Sequence, residues 1–337
     1  MVAVKLTKMS EIRNFTLTGA NGFRAEISTY GAKILRLLVP DTNGTLADVV
    51  LGFNTLREWQ TKETYFNAII GRVANRIKNG RFELDGKIFQ LPINNGTNAL
   101  HGGVHGFNEK VWDVISHNDH ELVLQYHAAD GEENYPGNLL VTITYAVKDT
   151  ALSIRYQAVT DAPTIVNLTN HSYFNLNGES SPSIRNHELQ VFADAYTPFD
   201  ETACPTGEIL PVEGTPMDFR VPTLIGERID DPFFVPGRGI DNNFVLRKIE
   251  GNNSPELAAI VRASGRKMEV YTTLPGLQVY TGNYVEENVG KGGTCYKPQN
   301  AVCLETQYFP DAPNHPSFPS IVLRPGEEYC HTTVFSF

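Results

Sequence analysis

The sequence predicts an all-β protein, a large antiparallel β-sandwich rather than a closed barrel. Three observations carry that expectation. Apolar and polar residues alternate with a period of two in successive runs of strand length. Turn-forming Asp-Gly, Ser-Gly and Asp-Thr pairs separate several of those runs. Helical periodicity is nearly absent. Alternation fixes the class and says less about how the sheets stack.

Strand-sized runs begin near Phe15. Thr55-Leu56-Arg57-Glu58 is a capping box, in which Thr bonds the amide three residues on and Glu reaches back. It predicts a helix of two or three turns ending before Tyr65. Residues 81–84 and 87–91 flank Asp85-Gly86, a pair suited to the positive φ angles of a type I′ hairpin turn. Leu122, Leu124 and Tyr126 alternate in a further strand. Val141, Ile143, Tyr145 and Val147 alternate with Thr142, Thr144 and Ala146; after Asp149-Thr150, Leu152, Ile154, Tyr156 and Ala158 alternate on the return. Residues 258–263 and 267–272 flank Ser264-Gly265 in the same manner, and 332–337 form a closing strand. The proline-dense stretches 198–222 and 308–319 read as loops. No linker or internal repeat divides the chain, so residues 1–337 are expected to form one domain.

Hydrophobic residues make up 41% and charged residues 20%, the balance of a soluble globular protein. The formal charge of −10 and the lack of any basic run longer than a pair argue against nucleic acid and anionic membranes as partners. No stretch is long and apolar enough for a transmembrane helix. Residues 1–8 lack the apolar core of a signal peptide, so a cytoplasmic location is expected. Cys204, Cys295, Cys303 and Cys330 form no CxxC pair and read as reduced, mostly buried thiols. A Cys295–Cys303 bridge has no positive support.

Four polar segments stand out between the strand-like runs, where loops display functional groups. In Ile70-Gly71-Arg72-Val73-Ala74-Asn75-Arg76-Ile77, alternation would put Arg72 and Arg76 on one face and Asn75 on the other. Guanidinium and amide side by side suit vicinal hydroxyls, although a salt-bridged strand edge would read the same. In Leu100-His101-Gly102-Gly103-Val104-His105, the i,i+4 histidines could ligate zinc only on a helix. The glycines between them oppose that helix and let ligand and backbone approach closely instead. In Asn167-Leu168-Thr169-Asn170-His171-Ser172-Tyr173-Phe174-Asn175-Leu176, His171 sits among groups able to fix its tautomer. In Val302-Cys303-Leu304-Glu305-Thr306-Gln307, Glu305 interrupts an apolar run; burial would raise its pKa or demand a partner. For each segment a purely structural role remains open.

Together these segments, with 240–244 and 275–283, resemble the galactose mutarotase (aldose 1-epimerase) family in order and wording, over roughly residues 20–335. The resemblance implies a galactose mutarotase-like supersandwich with the sugar in an open cleft. It implies Glu305 as the base that takes the C1 hydroxyl proton and His171 as the acid that protonates the ring oxygen. It places His101 beside the reacting centre and Asn75, Arg76, Asp241 and Gln278 among the sugar contacts. A free hexose is the implied partner, with no metal or organic cofactor, in a monomer or homodimer. Leu274 departs from the family pattern, where Gln is frequent, and bears on cleft packing and sugar preference.

The chemistry suits these residues. Hemiacetal opening moves one proton onto the ring oxygen and another off the anomeric hydroxyl, and His and Glu can each hold either state near neutrality. A hexose-6-phosphate epimerase would need a cationic pocket beyond Arg72 and Arg76, and Asp241 would repel the phosphate. A non-catalytic sugar-binding module on the same scaffold would not need all three of His101, His171 and Glu305. A glycoside hydrolase would need two opposed carboxylates, which Asp241 and Glu305 could imitate. Trp59, Tyr65 and Phe66 are able to stack on a sugar but read as core.

Overall fold

The computed structural model describes residues 11–62 and 65–337. Residues 1–8, where no signal-peptide core was expected, lie outside the described residues. Antiparallel sheets dominate. The largest has nine strands in the spatial order Asp113–His117, Glu121–Ala128, Leu139–Lys148, Ala151–Thr160, Tyr329–Ser336, Arg266–Thr272, Glu256–Ala263, Glu188–Val191, Thr223–Leu224. A six-stranded sheet runs Tyr173–Phe174, Val302–Gln307, Gly276–Tyr280, Asp241–Leu246, Ala193–Thr197, Leu210–Pro211. A four-stranded sheet is built from Asn14–Thr18, Arg24–Ser28, Ile34–Pro40 and Leu46–Asp48.

One continuous apolar core joins these sheets as a sandwich. Ile143, Tyr145, Ile154 and Phe335 of the nine-stranded sheet share it with Leu277, Val279, Val302 and Leu304 of the six-stranded one. Leu17, Ile27, Leu37 and Val39 enter from the four-stranded sheet. In Leu139–Lys148 the buried residues are the alternating Leu139, Val141, Ile143, Tyr145 and Val147. Each contributes about 1.5–3 kcal/mol by leaving water. A one-residue slip would turn all of them outward, so the pattern pins the register.

The hairpin turns follow their sequence signals. Asp85 and Gly86 have φ of 51° and 76°, and Ser264 and Gly265 have 48° and 71°, both central positions positive as a type I′ turn requires. The helix Leu56–Thr61 starts at the expected capping box: Glu58 N donates to Thr55 Oγ1 and Thr55 N donates to Glu58 Oε2. It is shorter than predicted because Lys62 already leaves helical geometry, with ψ at −141°. Trp59 and Phe66 are core, as read. None of the four cysteines is in a disulfide; Cys204 and Cys303 are buried while Cys295 and Cys330 are exposed, so half rather than most are inside. Among the described residues no helix is long and apolar enough to cross a membrane.

The six-stranded sheet has one apolar and one polar face. In Val302–Gln307, Val302 and Leu304 enter the core, and the Thr306 hydroxyl meets that of Thr333 on the opposing sheet. Pleating therefore turns Cys303, Glu305 and Gln307 to the other side. Register continues that side through Gln278 and Asn243, and through Tyr280 and Asp241. This polar face is the floor of the site.

Candidate active site

Glu305 is 2% exposed. Burial holds its carboxyl well above the usual range, the Asp241 charge adds to the rise, and Arg76 opposes it. His171 follows the short strand Thr169–Asn170, and its main chain is pinned by bonds to Ala68 O and from Asn67 N, each 2.9 Å. Its Nε2 lies 3.5 Å from Glu305 Oε1. The ring is nearly parallel to Tyr173 (11°, centroids 4.9 Å) and Tyr65 (15°, 6.3 Å), while Tyr280 and His101 meet it edge-on. Burial lowers the His171 pKa to about 3. His171 Nδ1 and Glu305 Oε2 are buried with no hydrogen-bond partner among the described residues. Such orphans are rare in packed proteins and mark groups whose bonding capacity is kept for a ligand or for chemistry.

His101 adopts φ 53° and exchanges two bonds with Asn75: its N–H donates to Asn75 O at 3.0 Å, and Asn75 N–H donates to its Nδ1 at 3.2 Å. Burial first, then the neighbouring His171 and Arg76, keep its pKa well below 6.5. A neutral ring that accepts at Nδ1 carries its proton on Nε2, so His101 is a donor. Gly102 makes this turn possible. Its φ is 92°, and a Cβ there would fall 1.9 Å from Gly71 O. His105 is exposed and pairs with Glu109 at 3.1 Å, so the i,i+4 histidine pair does not form.

Asp241 begins the strand Asp241–Leu246 and accepts from Gln278 Nε2 at 2.7 Å. Burial raises its pKa, against Arg76 and that hydrogen bond. Arg76 Nε donates to Asn95 Oδ1 at 3.0 Å.

Asn75, Arg76, His101, His171, Asp241 and Glu305 thus line one open cavity of about 190 Å³. Gln278, the remaining expected residue, is 5% exposed, bonds Asp241 and lines a narrow adjoining crevice that shares Asn75, Arg76 and Asp241 with this cavity. The expected pairing of Arg72 with Arg76 on one face is wrong. Asn75 has φ 62° and the strand is only Arg76–Ile77, so alternation does not extend back to Arg72. Arg72 is buried, donating to Pro136 O at 2.8 Å, Gly137 O at 2.9 Å and Thr164 Oγ1 at 3.1 Å. Leu274 is fully buried and lines no part of the cavity.

Tyr65 is also misread by the sequence: it lines the cavity, with its ring 4.8 Å from His101. Asn95, Leu100, Tyr173, Tyr280 and Tyr284 line it as well. Tyr173 lies in the polar run around His171 and Tyr280 shares the cleft-facing parity of Gln278, signals that were available. Tyr284 and Asn95 sit in loops with none. A larger cavity, about 320 Å³, adjoins Tyr30, Lys33, Arg36 and Trp59, but its lining holds no histidine and no buried carboxylate. His101, His171 and Glu305 also offer ligand atoms within 4.8 Å of one another, a donor set that a divalent cation accepts.

The family model described as Aldose 1-epimerase matches residues 13–336. The chain belongs to the aldose 1-epimerase family. Galactose mutarotases of Sus scrofa and Homo sapiens are each 47% identical to it over 319 residues, 93% of this chain and 91% of theirs. The aldose 1-epimerase of Escherichia coli K12 is 37% identical over 333 residues, 96% of this chain and 95% of its own. Among solved structures, an aldose epimerase homologue from C. elegans superposes with a TM-score of 0.89 at 31% identity, covering 97% of this chain and 98% of that one. A galactose 1-epimerase from Lactobacillus acidophilus does so with 0.83 at 29%, covering 99% and 97%.

Proposed function

We propose that the protein is an aldose 1-epimerase, interconverting the α and β anomers of a free hexose such as D-galactose or D-glucose. The observation that carries this is the His171–Glu305 contact: two buried titratable groups on an open cleft, each with an unspent polar atom. The oxygens that must lose and gain a proton are bonded to the same sugar carbon. Acid and base must therefore stand side by side, as these do.

Glu305 takes the C1 hydroxyl proton, the C1–ring oxygen bond breaks as the aldehyde forms, and His171 delivers a proton to the ring oxygen. Rotation about C1–C2 presents the other aldehyde face, and reclosure reverses both transfers. Opening leaves Glu305 protonated and His171 neutral, the forms that burial favours for both. His101, a neutral donor, steadies charge developing on the reacting oxygens. Asn75, Arg76 and Asp241 hold hydroxyls, with Gln278 supporting Asp241. Acid and base each supply about 10²–10⁴-fold, and positioning supplies the remainder. No electron or group is transferred, so the chemistry calls for no organic cofactor.

A phosphorylated substrate is disfavoured, because Arg72 is spent on carbonyls and Arg76 shares the cleft with Asp241. We read residues 1–337 as one domain, a monomer or homodimer working in galactose metabolism without nucleic acid or membrane. Four cysteines outside any disulfide support a reducing, cytoplasmic setting. Polarimetry of freshly dissolved α-D-galactose and α-D-glucose, with wild type and Glu305→Gln, is the test. Acceleration by wild type alone supports the assignment. No acceleration of either sugar by folded wild type overturns it, in favour of a phosphorylated sugar or a binding module.

A further inference from the structure

Behind Asp241 a chain of amides crosses the polar face of the six-stranded sheet. Gln278 stands opposite Asn243 on one side and Glu305 on the other. Gln307, two residues beyond Glu305, faces the same way. Its Nε2 donates to Gln278 Oε1 at 3.4 Å and to Asn243 Oδ1 at 3.3 Å, and Gln278 Nε2 donates onward to Asp241 Oδ1 at 2.7 Å. Gln307 is completely buried and does not line the cleft.

The polarity of this chain is set at Asp241. An ionised carboxylate only accepts hydrogen bonds, so Gln278 must turn its NH₂ toward it. Gln278 Oε1 then faces away and needs a donor, which Gln307 supplies. With Gln278 reversed, its oxygen would meet the carboxylate in a buried setting, where an unpaired acceptor is expensive. Gly276 keeps the space open. It stands opposite Gln307, and a Cβ there would fall 2.7 Å from Asn243 Oδ1 and 3.0 Å from Gln307 O.

We infer that Gln307 is a positioning residue for sugar binding, holding Gln278 in the one orientation that anchors Asp241 for the sugar hydroxyls. This rests on the proposal that Asp241 is a sugar contact. Gln307 touches neither the sugar nor the reacting pair, so its effect falls on KM and on the choice between sugars.

The test measures kcat and KM for galactose and glucose in Gln307→Met, Asp241→Asn and the double variant, with a thermal melt of each. Losing one bond that orients a charged partner is expected to raise KM about 10-fold in Gln307→Met, with kcat within about 3-fold of wild type. The galactose-to-glucose KM ratio shifts, and the double variant is hardly worse than Asp241→Asn because an amide there, able to donate as well as accept, no longer fixes the polarity of the chain. Gln307→Glu gives an independent readout: a protonated carboxyl still donates, so its KM relative to wild type rises with pH. A raised KM in Asp241→Asn beside an unchanged KM in Gln307→Met overturns the inference alone. So does strict additivity in the double variant, or a Gln307→Glu effect that is flat with pH. An unchanged KM in Asp241→Asn removes the premise and the inference together.

Discussion

His171 Nε2 stands 3.5 Å from Glu305 Oε1, and Nδ1 has no hydrogen-bond partner among the described residues. The ring is fixed by packing instead, parallel to Tyr65 and Tyr173. Burial lowers the histidine and raises the glutamate, so in the free cleft it favours the uncharged form of each. Sugar hydroxyls that hydrogen-bond the carboxylate favour its ionised form and move its proton toward His171. The two groups therefore titrate as a unit, and the limbs of a pH–rate profile belong to the pair.

Glu305→Gln keeps the shape of the side chain and removes its basicity. Turnover is expected to fall by about 10²–10⁴-fold while sugar still binds. Polarimetry measures the first and isothermal titration with galactose the second. Equal turnover in a folded variant would sink the assignment of Glu305 as base.

His171→Asn should lose activity by about 10²–10⁴-fold, as expected for a general acid. His101→Asn removes only a neutral donor and is expected to cost less than His171→Asn, within the range of about 10²–10³-fold seen for single charge-stabilising donors. Single-turnover rates for both variants decide the matter. A near-wild-type His171→Asn would transfer the acid role to His101.

How much of this was legible in the sequence depends on whether local rules governed each residue. Period-two alternation marked Leu139–Lys148 and Ala151–Thr160 because each strand buries one face. Asp85-Gly86 and Ser264-Gly265 marked their turns because few residues accept positive φ at low cost. Glu305 was visible as a carboxylate inside an apolar run. Arg72 was misplaced because Asn75 takes a left-handed conformation, which Asn tolerates but nothing nearby announces. Tyr65 reads like its core neighbours Trp59 and Phe66, and only tertiary placement puts it against His101. The link from Gln307 to Asp241 depends on strand register between distant segments, which no local pattern encodes.

The same burial makes a stability prediction. In the folded chain the Glu305 pKa is raised above its unfolded value of 4.5, so its contribution to stability is full below that value and is lost as pH rises through the folded pKa. Glu305→Gln does not titrate. Its melting temperature should exceed that of wild type by a margin that is smallest near about pH 4 and grows toward about pH 8. His171 has the opposite sign: lowered to about 3 from 6.5, it contributes above 6.5 and loses that contribution as pH falls. Calorimetry across the pH range tests both, and a Glu305→Gln margin independent of pH would mean that the carboxyl is not desolvated.

A divalent cation would compete for the same lone pairs. His101, His171 and Glu305 offer ligand atoms within 4.8 Å of one another, and a zinc ion would take them as a three-ligand set with an open position once the His101 ring gave up its Nε2 proton or its Nδ1 bond from Asn75 N–H. Held in that way, Glu305 and His171 could no longer exchange protons with a sugar, because a ligated lone pair is not free to accept one. Dialysis against a chelator is therefore expected to leave the rate unchanged, and added zinc to inhibit in competition with sugar. His101→Asn should weaken that inhibition by removing one ligand. Loss of activity on chelation, restored by zinc, would reverse the argument: the histidines would be ligands, and a metal acting on the ring oxygen would replace His171 as the source of positive charge.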